Sequence, residues 1–350
     1  MNEGHLLTAE VLAAGARAYA SFAANRLVER NPEVNAQFGT GAFQNWQDHF
    51  CRQIIELSAA VAEAEPRLFS ARVDWSRNAF QAREVSEEIL KWSLRCLREV
   101  LDEELPEQQS NTVRDYLDLA LQSFDQSVHQ DKENPAAGGL SQLALKYLET
   151  ALQGDSRSAI QVVLNAAQEG MEVAKLYEDV LLAAQQAIGE MWHNAEVSVA
   201  EEHYVSSTTL RTMAVLCHAA QPKRPLGLSV VAAAVEQNAH DIGIRAVSDF
   251  FELAGWNAIC LGGNSPPAEV AHVVEIFRSP LLLLSASLCT QIKSLRETIR
   301  LVRGLNTNCK IVVGGAAFRD VPDHWKRVGA DACALSARDA LEQGTRLVNP

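Results

Sequence analysis

Three segments in the last third of the chain contain residue types that can hold a cofactor. Each segment follows a short apolar run, and together they supply one histidine, two serines and three glycines. An imidazole can ligate a metal, hydroxyl groups can donate hydrogen bonds, and glycine lets the backbone approach a ligand closely. We therefore predict a ligand site built from these segments. Its residues are Asn238, His240, Gly243, Ser285, Ser287, Gly314 and Gly315.

A second group of side chains lies upstream, at the junction of two helical patterns. Trp192 and His193 end one pattern, and Glu202 and His203 begin the next. A tryptophan by itself is more often part of a core than a cofactor lid. An aromatic ring, a carboxylate and two imidazoles at one junction can nevertheless converge on a single surface, so this group is a candidate second face of the site.

The first three segments belong to a region in which strands and helices alternate. After Pro222 and Pro225, short apolar runs are each followed by a helical pattern, which is typical of a parallel sheet with crossover helices. Sheets of this kind bind ligands beyond the carboxyl ends of their strands. The predicted strands are Leu228–Ala234, Ala258–Leu261, Leu281–Ser285 and Ile311–Val313.

The sequence pattern predicts helices in the remainder of the chain. Four helical segments separated by short breaks predict a four-helix bundle over residues 140–222: Leu140–Leu152, Ser156–Glu169, Val173–His193 and Ser198–Ala220. Upstream, residues 1–130 predict an all-α domain of five or six helices, with Ser86 as an N-cap. Residues 131–139 lack large apolar side chains and are interpreted as a linker, and residues 223–350 form the predicted α/β domain.

Composition excludes several function classes. The chain has 350 residues, 47% of them hydrophobic, and a formal net charge of −13 without a basic cluster, so we expect no direct DNA binding. The sequence contains no phosphate-binding Gly-x-x-x-x-Gly-Lys loop, no His-Glu-x-x-His motif and no nucleophile elbow, which argues against an enzyme. No signal peptide or membrane span is recognisable, and we expect a cytoplasmic protein.

The order of the three segments resembles the cobalamin-binding domain family. That family has the pattern Asp-x-His-x-x-Gly, then Ser-x-(Leu/Thr/Ser), then Gly-Gly. The resemblance implies a flavodoxin-like domain, with His240 as the lower cobalt ligand and the cofactor's displaced dimethylbenzimidazole tail in a slot lined by the serines and glycines. Asn238 replaces the family's aspartate, which hydrogen-bonds the ligating histidine, so the departure concerns ligand strength rather than corrin binding.

A second motif consists of Trp192, nine intervening residues, and the pair Glu202-His203. This motif resembles the bundle of adenosylcobalamin-dependent photoreceptors of the CarH type. The resemblance implies adenosylcobalamin as the cofactor, with Trp192, Glu202 and His203 on the upper face of the corrin. It also implies that His193 takes the upper cobalt position after photolysis. We therefore expect a light sensor, with a light-dependent homo-oligomeric state or an effector protein as its output. A corrinoid carrier for methyl transfer is the main alternative, and storage or delivery of cobalamin is a third.

The N-terminal domain is similar in its helical order to globin-like sensor domains. Fusion to a cobalamin module resembles the photocobilins, which pair cobalamin with biliverdin, whereas dimerisation alone is the competing interpretation. No histidine lies between His49 and His129, which disfavours haem. A bilin needs an apolar cleft with polar anchors. The candidate lining residues are Trp46, Phe50, Phe69, Trp75, Phe80 and Trp92, with Arg72, Arg77 or Arg83 near the mouth.

Overall fold

A computed structural model describes residues 3–34, 39–125, 140–305, 308–319, 321 and 323–348. The chain divides into two compact units, residues 1–129 and 130–350. The predicted linker 131–139 lies outside the described residues, and so does His129. Among the described residues, none of the helices combines the length and the apolar character that a membrane span needs.

The first unit is helical, as the sequence predicts. Ser86 is the predicted N-cap and accepts a hydrogen bond from the backbone N–H of Glu88. Pro66 occupies the first helical position after Glu65, where a missing N–H costs nothing. The main helices are α1 Glu3–Arg30, α2 Ala42–Ala62, α3 Pro66–Ala82, α4 Glu87–Glu104 and α5 Glu107–Asp125.

Small residues decide how α1 packs. Its buried face consists largely of alanines between Leu12 and Leu27, and these small side chains let α2 approach closely. The hydroxyl of Ser58 on α2 donates a hydrogen bond of 2.8 Å to the carbonyl oxygen of Ala9 on α1. The pair α1–α2 is therefore the most extensive helix contact of this unit.

The second unit begins with the predicted four-helix bundle. Its third helix runs without a break from Val173 to His193, although the stretch Tyr177–Leu182 is π-helical. N-caps at Ser141, Asp155 and Ser198 start the other helices. The bundle consists of α6 Gln142–Leu152, α7 Ser156–Gln168, α8 Val173–Leu176, the π-helical stretch Tyr177–Leu182, α9 Ala183–His193 and α10 Val199–Ala219.

A five-stranded parallel sheet follows the bundle. Its strand order β2-β1-β3-β4-β5 is the flavodoxin-like arrangement that the sequence predicts. The last strand was not predicted from the sequence, because three residues are too short to give a periodic signal. The strands are β1 Ser229–Val235, β2 Asn257–Ser265, β3 Leu281–Ser285, β4 Lys310–Gly314 and β5 Ala332–Ala334.

Helices cover the sheet and link its strands. They are α11 Ile242–Leu253, α12 Pro267–Ile276, α13 Ile292–Gly304, α14 His324–Val328 and α15 Ala337–Val348. The rings of Phe251 and Trp256 pack edge to face, with their centroids 5.2 Å apart, and fill the core between α11 and the sheet. The interiors of β1, β3 and β4 are buried, as expected for the central strands of a parallel sheet covered on both faces, whereas the edge strand β2 is largely half-buried.

Candidate functional site

His240 lies in the loop that connects β1 to α11, and its side chain is exposed. The neighbouring Asn238 is completely buried and holds this loop in place. Its Oδ1 accepts a hydrogen bond of 3.1 Å from the backbone N–H of His240, and its Nδ2 donates one of 3.1 Å to the carbonyl oxygen of Ser285. The amide thus positions the backbone of His240 and ties it to the end of β3.

The end of β2 supports the same loop from the other side. Asn264 Oδ1 accepts a hydrogen bond of 2.8 Å from the backbone N–H of Gln237, and the N–H of Asn264 donates one of 2.8 Å to the carbonyl of Asn238. A Cβ atom on Gly263 would lie 3.1 Å from that carbonyl oxygen. The histidine loop is therefore fixed by backbone contacts on both flanks.

Gln291 joins the loop after β3 to the histidine loop. It is 2% exposed, and its Oε1 accepts hydrogen bonds from the backbone N–H groups of Ser287 (2.7 Å) and Leu288 (3.0 Å). Its Nε2 donates a hydrogen bond of 3.0 Å to the carbonyl oxygen of Gln237. One buried amide thus connects two of the three segments that the sequence singled out.

The two glycines after β4 complete the edge of the sheet. Gly314 pairs in register with Ser285, and a Cβ atom on Gly314 would lie 2.6 Å from the carbonyl oxygen of Ala334. Gly315 has a φ of +99°, and its Cβ would meet the carbonyl oxygen of Ala286 at 2.3 Å. Side chains are excluded at both positions because backbone carbonyl groups already occupy that space, so the glycines let the ends of β3, β4 and β5 pack closely beside Ser285.

These contacts define what we call the sheet edge: residues 236–241, 285–288 and 314–315. Gly243 lies in the first turn of α11, where a Cβ would meet nothing within 4 Å. Nothing in the packing demands a glycine there. An exposed imidazole at the carboxyl edge of a parallel sheet can ligate the metal of a cofactor.

Trp192, His193, Glu202 and His203 form what we call the bundle end. The first two lie in the last turn of α9 and are half-buried, and the other two lie in the first turn of α10. Glu202 Oε2 is 2.6 Å from His203 Nδ1, and the His203 side chain is 74% exposed. The turn between α9 and α10 is short, so all four residues lie at the same end of the bundle.

The bundle and the sheet domain share an interface on α11, the helix that follows His240. Phe250 and Ala246 of α11 belong to the same buried cluster as the bundle core, and Phe250 lies 5.9 Å from the ring of Tyr177. The Tyr177 hydroxyl is 2.6 Å from Asp249 Oδ2 and 3.0 Å from the carbonyl oxygen of Met213.

One phenolic proton cannot serve both of these oxygens. A protonated Asp249 satisfies both contacts, because it donates to Tyr177 while Tyr177 donates to Met213. Burial raises the pKa of Asp249 to about 6, partly opposed by the hydrogen bond from Tyr177, and nearby Glu252 raises it further. The interface thus contains a carboxyl group that keeps its proton to a higher pH than an ordinary aspartate does.

Comparison with protein families identifies this unit. Family models described as B12 binding domains match residues 143–216, the bundle, and residues 228–343, the α/β part. The second unit is a B12-binding module. Neither match extends into residues 1–142.

Individual relatives support the same assignment. The module resembles dimethylamine corrinoid protein 1 of Methanosarcina mazei, with 24% identity over 210 residues that cover 58% of this chain and 95% of that protein. It also resembles the HTH-type transcriptional repressor CarH of Myxococcus xanthus, with 27% identity over 53% of this chain and 64% of CarH. The monomethylamine corrinoid protein structure of Methanosarcina barkeri shares the fold, with a TM-score of 0.52 and 20% identity over 59% of this chain and 98% of that one.

The geometry of the B12-binding module fits a corrinoid. His240 supplies an exposed imidazole, and the serines and glycines that end β3 and β4 lie at the same edge of the sheet. The sequence did not reveal Gln291 or Asn264, whose amides hold the loops of the sheet edge. The adjacent Gly262-Gly263-Asn264 run was an available signal, whereas Gln291 gave none.

The aromatic residues of the first unit divide into buried and exposed groups. Trp46, Phe50 and Phe69 are buried, but Trp75 is 40% exposed, with the Arg72 guanidinium 4.5 Å above its ring. Trp75 is thus less enclosed than Trp46, Phe50 and Phe69, and its place in a bilin cleft stays a prediction. Arg72 is also paired with a carboxylate, that of Glu56, at 2.9 Å.

His49 lies within the buried aromatic group. Its ring is 5.1 Å from that of Trp46 and 5.4 Å from that of Phe80. Burial, with a smaller contribution from Arg52, lowers the pKa of His49 to about 3, so the ring is neutral. Among the described residues, no hydrogen-bond partner reaches His49 Nε2 or either amide atom of the buried Gln53.

Proposed function

We propose that this cobalamin-binding protein is a light sensor that uses adenosylcobalamin. The observation that carries the proposal is the composition of the bundle end, where a half-buried Glu202 pairs with an exposed His203 at the same end of the bundle as Trp192 and His193. The sequence similarity to CarH supports this interpretation. The cofactor would supply a cobalt–carbon bond that light can break.

The sheet edge would hold the lower face of the cofactor. In this proposal His240 ligates the cobalt, and the dimethylbenzimidazole tail lies against the strand ends that carry Ser285, Ser287, Gly314 and Gly315. Asn238 fixes the backbone of His240 with both of its amide atoms. Positioning of the histidine loop therefore depends on backbone contacts rather than on a carboxylate partner.

The bundle end would hold the upper face. Trp192 would cover the upper ligand, Glu202 and His203 would contact it or the corrin edge, and His193 would supply an imidazole once that ligand has left. Two histidines on opposite faces of one cofactor would link the bundle to the sheet domain. A change at the cofactor would then change the geometry of the module and its assembly, which is how a two-state switch works.

A corrinoid carrier for methyl transfer is the alternative. Its supporting observation is the similarity to dimethylamine corrinoid protein 1, of which the match covers 95%. Against it, the described helices between Glu3 and Asp125 lie outside the matched families. We therefore propose a regulatory protein rather than an enzyme, acting through a homo-oligomer or an effector protein.

Illumination of the loaded protein tests the light-sensor proposal. The full-length protein is purified with adenosylcobalamin in the dark, and its absorption spectrum and elution volume are recorded before and after green light. We expect both to change. A photostable spectrum combined with methyl transfer to an acceptor thiol would favour the carrier function instead.

A second measurement tests the lower ligand. We expect His240→Ala to shift the spectrum of bound cobalamin toward the base-off form or to abolish binding, because the exposed imidazole is the proposed ligand. His272→Ala, at a histidine on α12, is the matched control and should leave the spectrum unchanged. An unaltered spectrum and affinity in His240→Ala would contradict the assignment.

We also propose that the first unit binds a bilin such as biliverdin. The supporting observation is the neutral His49 and the amide of Gln53, whose buried polar atoms could bond the pyrrole nitrogens or carbonyls of such a ligand. The test is to purify the full chain with biliverdin supplied. If no red-absorbing band co-elutes with the protein, this unit serves dimerisation or partner binding.

A further inference from the structure

A continuous chain of polar side chains leads from Glu202 into the centre of the bundle. Ser206 Oγ lies 2.6 Å from Glu202 Oε1 and 2.8 Å from Gln185 Oε1. Gln185 Nε2 is 2.8 Å from Thr209 Oγ1, which is 2.9 Å from the hydroxyl oxygen of Tyr147. The chain joins the helices α10, α9 and α6.

The inner end of this chain is completely buried. Tyr147, Thr209 and Thr212 have no exposed surface. Apolar side chains of similar size would fill this space without the cost of removing polar groups from water. A connected polar chain at this depth is therefore better explained by a role of its own than by packing.

The number of protons determines how the chain can be arranged. Ser206 has one hydroxyl proton but faces two oxygen atoms, one from Glu202 and one from Gln185. Both contacts are hydrogen bonds only if Glu202 carries a proton and donates it to Ser206. If Glu202 is ionised, Ser206 must donate to it, and Gln185 must turn its NH2 group toward Ser206.

Turning this amide reverses every hydrogen bond further in. With Glu202 ionised, Tyr147 donates to Thr209, and Thr209 donates to Gln185. With Glu202 protonated, Gln185 donates to Thr209, and Thr209 donates to Tyr147. Tyr147 then donates to Thr212, whose oxygen is 3.4 Å away and whose own proton bonds the carbonyl of Thr208 at 2.8 Å.

We propose that Ser206, Gln185 and Thr209 form a two-state hydrogen-bond relay that transmits the charge of Glu202 to Tyr147. Gln185 is the positioning residue, because the orientation of its amide defines the state. Only Glu202 gains or loses a proton, which it exchanges with solvent, and every other group keeps its own. The relay rests on the proposed function only in so far as Glu202 contacts the upper face of the cofactor.

Other charged groups around the relay are accounted for. Burial raises the pKa of Tyr147, so its hydroxyl keeps its proton while Glu202 titrates. Glu201 is engaged in the capping box with Ser198, and Gln186 donates a hydrogen bond to Glu190 on α9. The other carboxylate oxygen of Glu202 lies 2.6 Å from Nδ1 of His203, so this imidazole is the ionisable group in direct contact with the outer end of the relay.

The test follows Tyr147 by NMR in the full-length protein. Tyrosine labelled with carbon-13 at Cζ gives one signal for each of the five tyrosines, and Tyr147→Phe assigns the relevant one. The measurement is a pH titration without cobalamin, because the shift of this carbon depends on whether the hydroxyl donates or accepts. We expect the Tyr147 signal to move when the pH changes the charge of Glu202.

Three variants decide whether the relay causes that movement. It should be lost in Glu202→Gln, which cannot ionise, and in Ser206→Ala, which lacks the connecting hydroxyl. It should persist in Ser206→Thr, which keeps the hydroxyl. The other four tyrosine signals report whether each variant is folded.

A constant Tyr147 signal in the natural sequence would overturn the relay, and so would an unchanged titration in Ser206→Ala or Glu202→Gln. Because the cofactor is absent from the titration, these outcomes are independent of the light response. A photostable holoprotein would contradict the light-sensor proposal but would not contradict the relay.

Discussion

The sheet edge and the bundle end hold their polar groups in different ways. At the sheet edge, the buried amides of Asn238 and Gln291 bind backbone groups, and Gly315 adopts a conformation that side chains rarely allow. At the bundle end, an exposed histidine pairs with a carboxylate through flexible side chains. The first arrangement keeps one geometry, whereas the second can be rearranged by small changes in charge or ligand. A switch of the proposed kind needs one face of each type.

The largest effect is expected for Gly315→Val. Its Cβ would lie 2.3 Å from the carbonyl oxygen of Ala286, in a left-handed conformation with φ at +99°. We expect the second unit to lose about 3 kcal/mol or more of unfolding free energy, together with cobalamin binding. Urea unfolding and a binding titration measure these changes. Gly304→Ala, at the end of α13 where an added Cβ would meet nothing within 4 Å, is the control, and a similar loss there would contradict a backbone-determined sheet edge.

A somewhat smaller loss is expected for Gln291→Leu. This substitution leaves the N–H groups of Ser287 and Leu288 and the carbonyl of Gln237 without their buried partner. We expect a destabilisation of about 2–3 kcal/mol, measured by urea unfolding. Gln291→Glu keeps the acceptor and loses only the donor, so it should recover part of the loss. Equal stability of the two variants would mean that the Ser287 and Leu288 contacts contribute little.

The contribution of the bundle–sheet domain interface to protein stability should depend on pH through Asp249. Its native pKa of about 6 lies above the ordinary aspartate value of 3.8, so the native state binds more protons between those values. The stability of the protein relative to Asp249→Asn should therefore be greatest near pH 4 and fall as the pH rises through 6. The expected fall is about 2 kcal/mol, because partial exposure reduces the effect. A difference that rises with pH would show that Asp249 is stabilised in its ionised form.

The smallest effect on stability is expected at the bundle end. His203→Ala removes a 74% exposed partner of Glu202, and exposed pairs contribute little. We expect a change within about 0.5 kcal/mol in thermal unfolding but an altered spectral response of bound adenosylcobalamin to light. Lys146→Ala on α6 is a control that should alter neither property. A large stability loss in His203→Ala would show that the polar contacts of the bundle end contribute as much to the stability of the fold as those of the sheet edge do.

The sequence predicted the regular parts of the molecule well, for identifiable reasons. The bundle helices have strong periodicity and clear caps, as at Ser198, and the strand Leu281–Ser285 is a continuous apolar run that the structure confirms. The roles of Gln291 and of the Tyr177–Asp249 contact could not be predicted. Both join positions that are far apart in the chain, and no local pattern reports which distant residues meet.

The π-helical stretch Tyr177–Leu182 has a consequence for the orientation of the bundle end. A π-helical turn accommodates one residue more than an α-helical turn, and one residue corresponds to about 100° of rotation about the helix axis. The direction in which Trp192 and His193 project is therefore set by a backbone irregularity more than two helical turns before them. Tyr177, the first residue of that stretch, is held by Asp249 of the sheet domain. The π-helical stretch that sets the orientation of Trp192 and His193 thus begins at a residue through which this helix contacts the sheet domain.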